Sequence, residues 1–164
     1  MPRKTKITYI TMEKEIEPHE VYGVIYHLHH PSKGIVVGST TDSLSERFGK
    51  QVWASTRPNG HHRLKTDPEA IAIKESKKDG TFHDWIMEEI DYIKKIGNSK
   101  RDLDKAEMEL RDRETQAIGE LKSLERKGLL SIPVLNRNKP VPFLQARRKN
   151  LSKASKRRLQ KING

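Results

Sequence analysis

The segment of residues 102–128 carries the longest regular pattern in the sequence. Its apolar residues recur every three or four positions and predict one long amphipathic helix with a single apolar stripe, made of Leu103, Ala106, Leu110, Ala117, Ile118, Leu121 and Leu124. Glu114 falls on this stripe, because at about 100° per residue it projects close to Leu103 and Leu121. A carboxylate aimed into a core is costly unless a cation, a metal or a pocket pairs with it. Glu114 is therefore either a rim residue that reaches water or a functional carboxylate.

Length and composition favour one domain of ordinary size. The chain has 164 residues and no cysteine, which excludes disulfides and thiolate metal sites and suits a reducing compartment. No apolar run approaches the roughly 20 residues of a membrane span, and the N-terminus lacks the apolar core of a signal peptide. We therefore expect a soluble cytoplasmic protein with no membrane partner.

The positive charge of the chain is concentrated at its C-terminus. The formal net charge is +11, and from residue 139 on there are nine basic residues and no Asp or Glu. We expect this tail to bind nucleic acid through Arg147, Arg148, Lys149, Lys153, Lys156, Arg157 and Arg158. A membrane-surface segment or a solubilising extension is the alternative. The tail's few apolar residues are too sparse for a strongly amphipathic membrane helix, so nucleic acid is favoured.

The first half of the chain alternates β-prone and helical segments. Residues 7–12 predict a short strand, and residues 21–29 and 34–37 predict a hairpin whose turn contains Pro31. The sequence Ser43-Leu-Ser-Glu46 matches a capping box and predicts a helix that continues to about Ala54.

A basic loop and a third strand follow. Residues 55–67 contain turn-forming residues and predict a loop that contacts phosphates through Arg57, His61, His62, Arg63 and Lys65. Asp67 and Pro68 predict the start of a helix that ends at Gly80. Residues 81–91 alternate and predict a strand with Phe82, Ile86 and Ile90 on one side. Either Ser99 or Asp102 is expected to cap the long helix.

Two histidine clusters are weighed as metal sites. His27, His29 and His30 lie together, and a second pair follows in the loop, but no cysteine and no helical H-x3-H pattern accompanies them. In a regular strand His27 and His29 share one face and His30 takes the other, so the three do not converge easily. Solvated or phosphate-contacting histidines are favoured over zinc ligands.

The order of short motifs resembles the GIY-YIG nuclease family over residues 20–138, with an insertion between residues 54 and 68. The matching segments are Gly23-Val24-Ile25-Tyr26, Val36-Val37-Gly38-Ser39, Leu44 with Arg47, Phe82, Glu114 within Leu110–Ile118, and Asn136 after Val134-Leu135. The resemblance implies an α+β fold with a small antiparallel three-stranded sheet flanked by helices. It divides the chain into an N-terminal extension (residues 1–19), a nuclease-like domain (20–138) and a basic nucleic-acid-binding tail (139–164).

The resemblance also implies roles for individual residues. Tyr26 matches the tyrosine of the first motif and Gly38 the glycine of the second. Arg47 matches the catalytic arginine, Glu114 the single metal-binding glutamate, and Asn136 a late catalytic asparagine. The family chemistry further implies that Glu114 holds Mg²⁺ or Mn²⁺ as a Lewis acid on the leaving group, while Arg47 clamps the non-bridging oxygens.

The chain departs from the family pattern at two positions. Val36 stands where the second motif usually has tyrosine, and Gln51 stands one helical turn after Arg47, where many members have histidine. Both positions normally lie in or near the active site, so the chemistry is either rearranged or reduced. We expect Tyr26 to act as the base, with a histidine of the first cluster, such as His30, as the reserve.

Together with the basic tail, the resemblance implies a metal-dependent endonuclease of phage or mobile-element type, working on double-stranded DNA in the cytoplasm of a bacterial host. A monomer with one metal site would cut one strand at a time, and double-strand cutting would require a dimer on DNA or a second binding event. Two alternatives stay open. One is a nuclease-derived DNA-binding protein that has lost catalysis, and the other is a basic RNA-binding protein.

Overall fold

A computed structural model describes residues 6–56 and 67–136. Within these two ranges the chain forms one sheet and three α-helices. The strands are β1 (Thr8–Ile10), β2 (Val21–His30), β3 (Gly34–Thr40) and β4 (Ile86–Lys94). The helices are α1 (Leu44–Thr56), α2 (Pro68–Lys78) and α3 (Lys100–Arg126).

The sheet has the strand order β1-β4-β2-β3. β2 pairs antiparallel with β3 and with β4, whereas β1 pairs parallel with β4. The predicted α+β class is confirmed, but the expected three-stranded antiparallel sheet is wrong, because the described sheet is four-stranded and mixed. The fourth strand comes from the segment predicted to be an N-terminal extension, whose Thr8 amide donates to the Trp85 carbonyl at 3.2 Å.

The third predicted strand begins later than the sequence pattern indicates. Phe82–Asp84 form a short 3-10 turn, and β4 runs over Ile86–Lys94 rather than over residues 81–91. Phe82 stacks on Phe48 of α1, with ring centroids 5.7 Å apart. The Phe82 side chain therefore packs against α1. The backbone forms a strand only from Ile86 on, where β4 pairs with β1 and β2.

The helix starts follow the capping signals in the sequence. The Ser43 hydroxyl accepts the Glu46 amide at 3.3 Å at the start of α1. Asp67 caps α2 through the amide of Glu69, and Ser99, rather than Asp102, is the N-cap of α3. In each case a side-chain oxygen satisfies an amide that the first helical turn leaves without a partner.

The sheet is covered on both faces. α1 and α2 pack on one face through a cluster that includes Tyr26, Leu28, Phe48 and Trp85. α3 packs on the other face through the buried part of its stripe, namely Ala106, Leu110, Ile118 and Leu121. Because side chains alternate along a strand, neighbouring residues of β2 and β3 point into different layers. This alternation decides which side chains meet at the candidate site.

Candidate active site

The candidate site is built around the point where Tyr26 of β2 lies opposite Gly38 of β3. A Cβ atom at Gly38 would overlap the Tyr26 hydroxyl, so only glycine leaves room for the phenol at this position. The register between β2 and β4 shifts between Ile25 and Tyr26, which marks a bulge next to the same residue. Bulges of this kind are common beside active sites because they change the direction of a side chain.

The Tyr26 hydroxyl contacts two side chains of α1. It accepts a hydrogen bond from Arg47 Nε at 3.4 Å and one from Gln51 Nε2 at 3.1 Å. Tyr26 itself is 1% exposed. Burial raises the pKa of Tyr26 above its usual value, and Arg47 only partly opposes this shift. The neutral hydroxyl is therefore favoured over the phenolate that a base would need.

Glu69, in the first turn of α2, extends this network. Its Oε1 accepts a hydrogen bond from Gln51 Nε2 at 2.6 Å, so one amide nitrogen links Glu69 to Tyr26. Burial and, to a lesser extent, the charge of Asp67 raise the pKa of Glu69 to about 7. Sequence reasoning missed this residue. An acidic residue in a first helical turn is ordinary, and its partners lie on other elements.

Glu114 lies on the opposite face of the sheet. Its Oε2 accepts a hydrogen bond from Ser39 Oγ at 2.8 Å, and Arg111 Nη1 lies 3.7 Å from the same oxygen. The Glu114 side chain is 13% exposed. It is therefore a fixed carboxylate at the margin of the apolar stripe rather than one that extends freely into water. Ser39 belongs to the second motif, but no sequence signal indicated its contact with Glu114.

Arg47 is electrostatically coupled to both faces of the sheet. Partial burial lowers its pKa, but the hydrogen bond to Tyr26 and the charges of Glu69 and Glu114 oppose this, and the net shift is upward. β3 is an edge strand, and α3 reaches it through the bond between Glu114 and Ser39, next to the Gly38 that faces Tyr26. The fold thus joins two of the sequence-predicted residues, Tyr26 and Arg47, by a hydrogen bond, and it places Glu114 near enough for its charge to contribute to the raised pKa of Arg47.

Asn136 has a different environment. Its Oδ1 accepts the Val37 amide at 3.0 Å and its Nδ2 donates to the Val37 carbonyl at 2.9 Å. The neighbouring residue Leu135 bonds the backbone of Ile35, so residues 133–136 extend the sheet along β3. The Asn136 amide thus imitates a peptide group, and it holds β3 two residues before Ser39.

His30 is not brought to the cluster. It is 1% exposed, its Nε2 lies 3.0 Å from both the carbonyl and the hydroxyl of Thr81, and its Nδ1 accepts the Ser32 amide at 3.2 Å. It also packs edge-to-face on Trp85. Along β2 it lies about 13 Å from Tyr26, at roughly 3.3 Å per residue. These contacts describe a core histidine with both ring nitrogens engaged.

The two departures from the family pattern have clear structural positions. Val36 is 4% exposed and belongs to the core under α1. Gln51 faces Tyr26 and Glu69, so it occupies the site itself. Its amide donates hydrogen bonds but cannot take up a proton as histidine does.

Some predicted contacts lie outside the described residues. These are the basic loop residues Arg57, His61, His62, Arg63 and Lys65 and the whole basic tail from residue 139 on. In the two described ranges, no group of three or more His, Asp or Glu side chains is arranged to hold a metal ion. No helix in that part of the chain is long and apolar enough to cross a bilayer.

Comparison of the chain with protein-family models, with curated proteins and with solved structures gives no match. The function is therefore inferred from the geometry of the cluster.

Proposed function

We propose that the protein is a metal-dependent endonuclease that hydrolyses phosphodiester bonds in double-stranded DNA. One arrangement carries the proposal. Arg47 is hydrogen-bonded to the buried Tyr26 on one face of the sheet, Glu114 is a carboxylate held by Ser39 on the other face, and the charge of Glu114 is among the causes that raise the pKa of Arg47. A guanidinium and a carboxylate near one another suit the binding of a phosphate together with a hydrated cation.

Arg47 is the phosphate-binding group of this proposal. In hydrolysis a water oxygen bonds to phosphorus and loses a proton to the solvent, while the bond to the 3′-oxygen breaks and that oxygen takes up a proton from water. Charge accumulates on the non-bridging oxygens. The planar guanidinium donates two parallel hydrogen bonds to such oxygens, which a lysine cannot imitate. Tyr26 fixes the guanidinium through Nε. Its neutral hydroxyl thus orients Arg47 instead of serving as the base.

Glu114 is the residue that would hold the metal. A single carboxylate suits Mg²⁺, which keeps several of its water molecules, better than a cation that needs a complete protein cage. When bound, the metal would supply Lewis acidity for the departing oxygen. The contribution of the chain itself is the fixed position of the carboxylate. Ser39 occupies one lone pair of Oε2 and limits the rotation of the side chain.

A second candidate function is a DNA-binding protein with impaired catalysis. Two observations favour it, namely the buried aliphatic Val36 and the non-titrating amide of Gln51 inside the cluster. The basic tail would then supply most of the affinity, since phosphate contacts position a protein on DNA without reading bases. The positive charge of the tail also supports an RNA-binding function, because RNA carries the same phosphate charges as DNA.

Conversion of a supercoiled plasmid to the nicked circle, with Mg²⁺ or Mn²⁺ present, tests the endonuclease proposal. We expect nicking by the wild-type protein and none by Glu114→Gln, which keeps the volume and removes the charge. Arg47→Ala should lower the rate about 100-fold or more, and Arg47→Lys should restore it only in part. Glu120→Gln is the matched control, because Glu120 is exposed on the same helix.

The outcomes separate the candidates. A Glu114→Gln variant that cuts at the wild-type rate contradicts the metal assignment. Absence of nicking in the wild-type protein, with DNA binding retained, favours the impaired nuclease. Stronger competition by RNA than by duplex DNA favours the RNA-binding function.

A further inference from the structure

Glu69, Gln51 and Tyr26 form a hydrogen-bond chain that ends at Arg47. Gln51 Nε2 donates to Glu69 Oε1 at 2.6 Å and to the Tyr26 hydroxyl at 3.1 Å, and Arg47 Nε donates to the same hydroxyl at 3.4 Å. A primary amide has two hydrogens, so both donors of Gln51 are used. The Tyr26 oxygen accepts two bonds, which leaves its own hydrogen for a different acceptor.

The direction of these bonds depends on Glu69. Gln51 Oε1 is buried and, among the described residues, has no hydrogen-bond partner. The orientation of the amide is therefore decided at Nε2, where an ionised Glu69 acts only as an acceptor. A buried carbonyl without a hydrogen bond is unfavourable. The ionised carboxylate therefore keeps the amide in this orientation although Oε1 is left without a partner.

A proton on Glu69 changes this balance. The protonated carboxyl of Glu69 can donate a hydrogen bond. If the Gln51 amide rotates by about 180°, Oε1 lies between Glu69 and Tyr26 and accepts a hydrogen bond from each. Tyr26 then donates its hydroxyl hydrogen to Gln51 instead of accepting from it. The protonation of one carboxyl thus reverses the two bonds made by Gln51, and the bond from Arg47 to Tyr26 keeps its direction.

We propose that Glu69 is a positioning residue of the site: its ionised carboxylate orients Gln51 so that the buried Tyr26 hydroxyl accepts from both Gln51 and Arg47 and holds the guanidinium for a phosphate of the bound DNA. This inference rests on the proposed nuclease function for its consequence in catalysis. The hydrogen-bond chain itself does not depend on the proposed nuclease function.

The charged and titratable groups around Glu69 place the reversal near neutral pH. Burial and Asp67 on α2 raise the pKa of Glu69, whereas Arg47 and the bond from Gln51 on α1 lower it, with a net value of about 7. From β2, the Tyr26 hydroxyl is the titratable group that faces it, and its own pKa is raised. With a pKa of about 7, Glu69 changes charge between pH 6 and 8.

The test is the pH dependence of plasmid nicking by wild-type protein and by Glu69→Gln under single-turnover conditions with Mg²⁺. The amide that this substitution introduces can donate to Gln51 Oε1, so the variant imitates the protonated state. We expect the ratio of wild-type to variant rates to be close to one below pH 6, to rise through pH 7, and to level off at about tenfold or more. Taking the ratio cancels every other titration that both proteins share. Glu75→Gln, which removes an exposed carboxylate of the same helix, is the control.

A second readout is independent of activity. In the full-length protein labelled with ¹⁵N, the side-chain amide signals of Gln51 should shift with pH, with a midpoint near 7, and should lose this response in Glu69→Gln. A ratio of rates that does not change with pH overturns the catalytic role of Glu69. If the side-chain amide signals of Gln51 do not shift with pH, the hydrogen-bond reversal itself is overturned, whether or not the protein cuts DNA. Absence of nicking by the wild-type protein together with a normal Gln51 titration contradicts the nuclease proposal alone.

Discussion

Replacing Glu69 by Gln should change how the stability of the protein depends on pH. In the folded protein the pKa of Glu69 is raised from 4.5 to about 7, chiefly by burial. Below pH 4.5 the carboxyl is protonated in both the folded and the unfolded states, so its titration does not change the free energy of unfolding. Between the two values the unfolded state has released the proton and the folded state has kept it, so stability falls as the pH rises.

The size of this effect follows from the shift. One pKa unit corresponds to about 1.4 kcal/mol, so a shift of this size lowers the free energy of unfolding by about 3 kcal/mol between pH 4.5 and pH 8. Glu69→Gln removes the titration and keeps the volume. The stability of the variant minus that of the wild type should therefore increase by about 3 kcal/mol over the same interval.

Urea unfolding at pH 4.5, 6, 7 and 8 measures the difference. Trp85 is 0% exposed, so its fluorescence reports the loss of the core. Glu75→Gln is the matched control for the removal of one carboxylate from α2. A stability difference between Glu69→Gln and wild type that stays within about 1 kcal/mol at all four pH values would refute the reasoning. Glu69 would then be hydrated in the folded state, and the pH response inferred for Gln51 would lose its cause.

The remaining predictions concern the margin of β3 and the tail. Gly38→Ala should displace the Tyr26 hydroxyl, cost about 1–3 kcal/mol of stability and abolish nicking, whereas Gly49→Ala, whose added Cβ meets no atom within 4 Å, should fold at least as stably as the wild type. Asn136→Ala should cost about 1–3 kcal/mol in urea unfolding, because it leaves two backbone groups of β3 without partners, while a purely catalytic asparagine would leave stability unchanged. Removal of residues 139–164 should weaken DNA binding and flatten its salt dependence, by about 0.9 in the slope of log K against log salt for each lost phosphate contact; equal affinities and parallel lines would show that the tail does not touch DNA.

Local signals predicted most of the helices and the hairpin. The stripe of α3 lies where its periodicity indicates, and Ser43, Asp67 and Ser99 cap their helices as their positions suggest. These features depend on residues close together in the sequence, because helical spacing and capping act over a few positions. The start of β4 was wrong because the alternation around Phe82 is compatible with both a strand and a turn. The turn at Phe82 packs its ring on Phe48 of α1, a contact with another element that the local pattern does not show.

The sequence by itself determined most of the elements, the unusual place of Glu114 on its helix, and the resemblance that connects Tyr26, Arg47 and Glu114. Only the tertiary structure decided the contacts between elements: the parallel pairing of β1, the bonds of Asn136 to β3, and the link from Glu69 through Gln51 to Tyr26. The physical reason is that a carboxylate in a first helical turn has the same local pattern whether it faces water or a buried amide. Its surroundings, and with them its pKa and its role, are set by packing between α1 and α2, which no local pattern encodes.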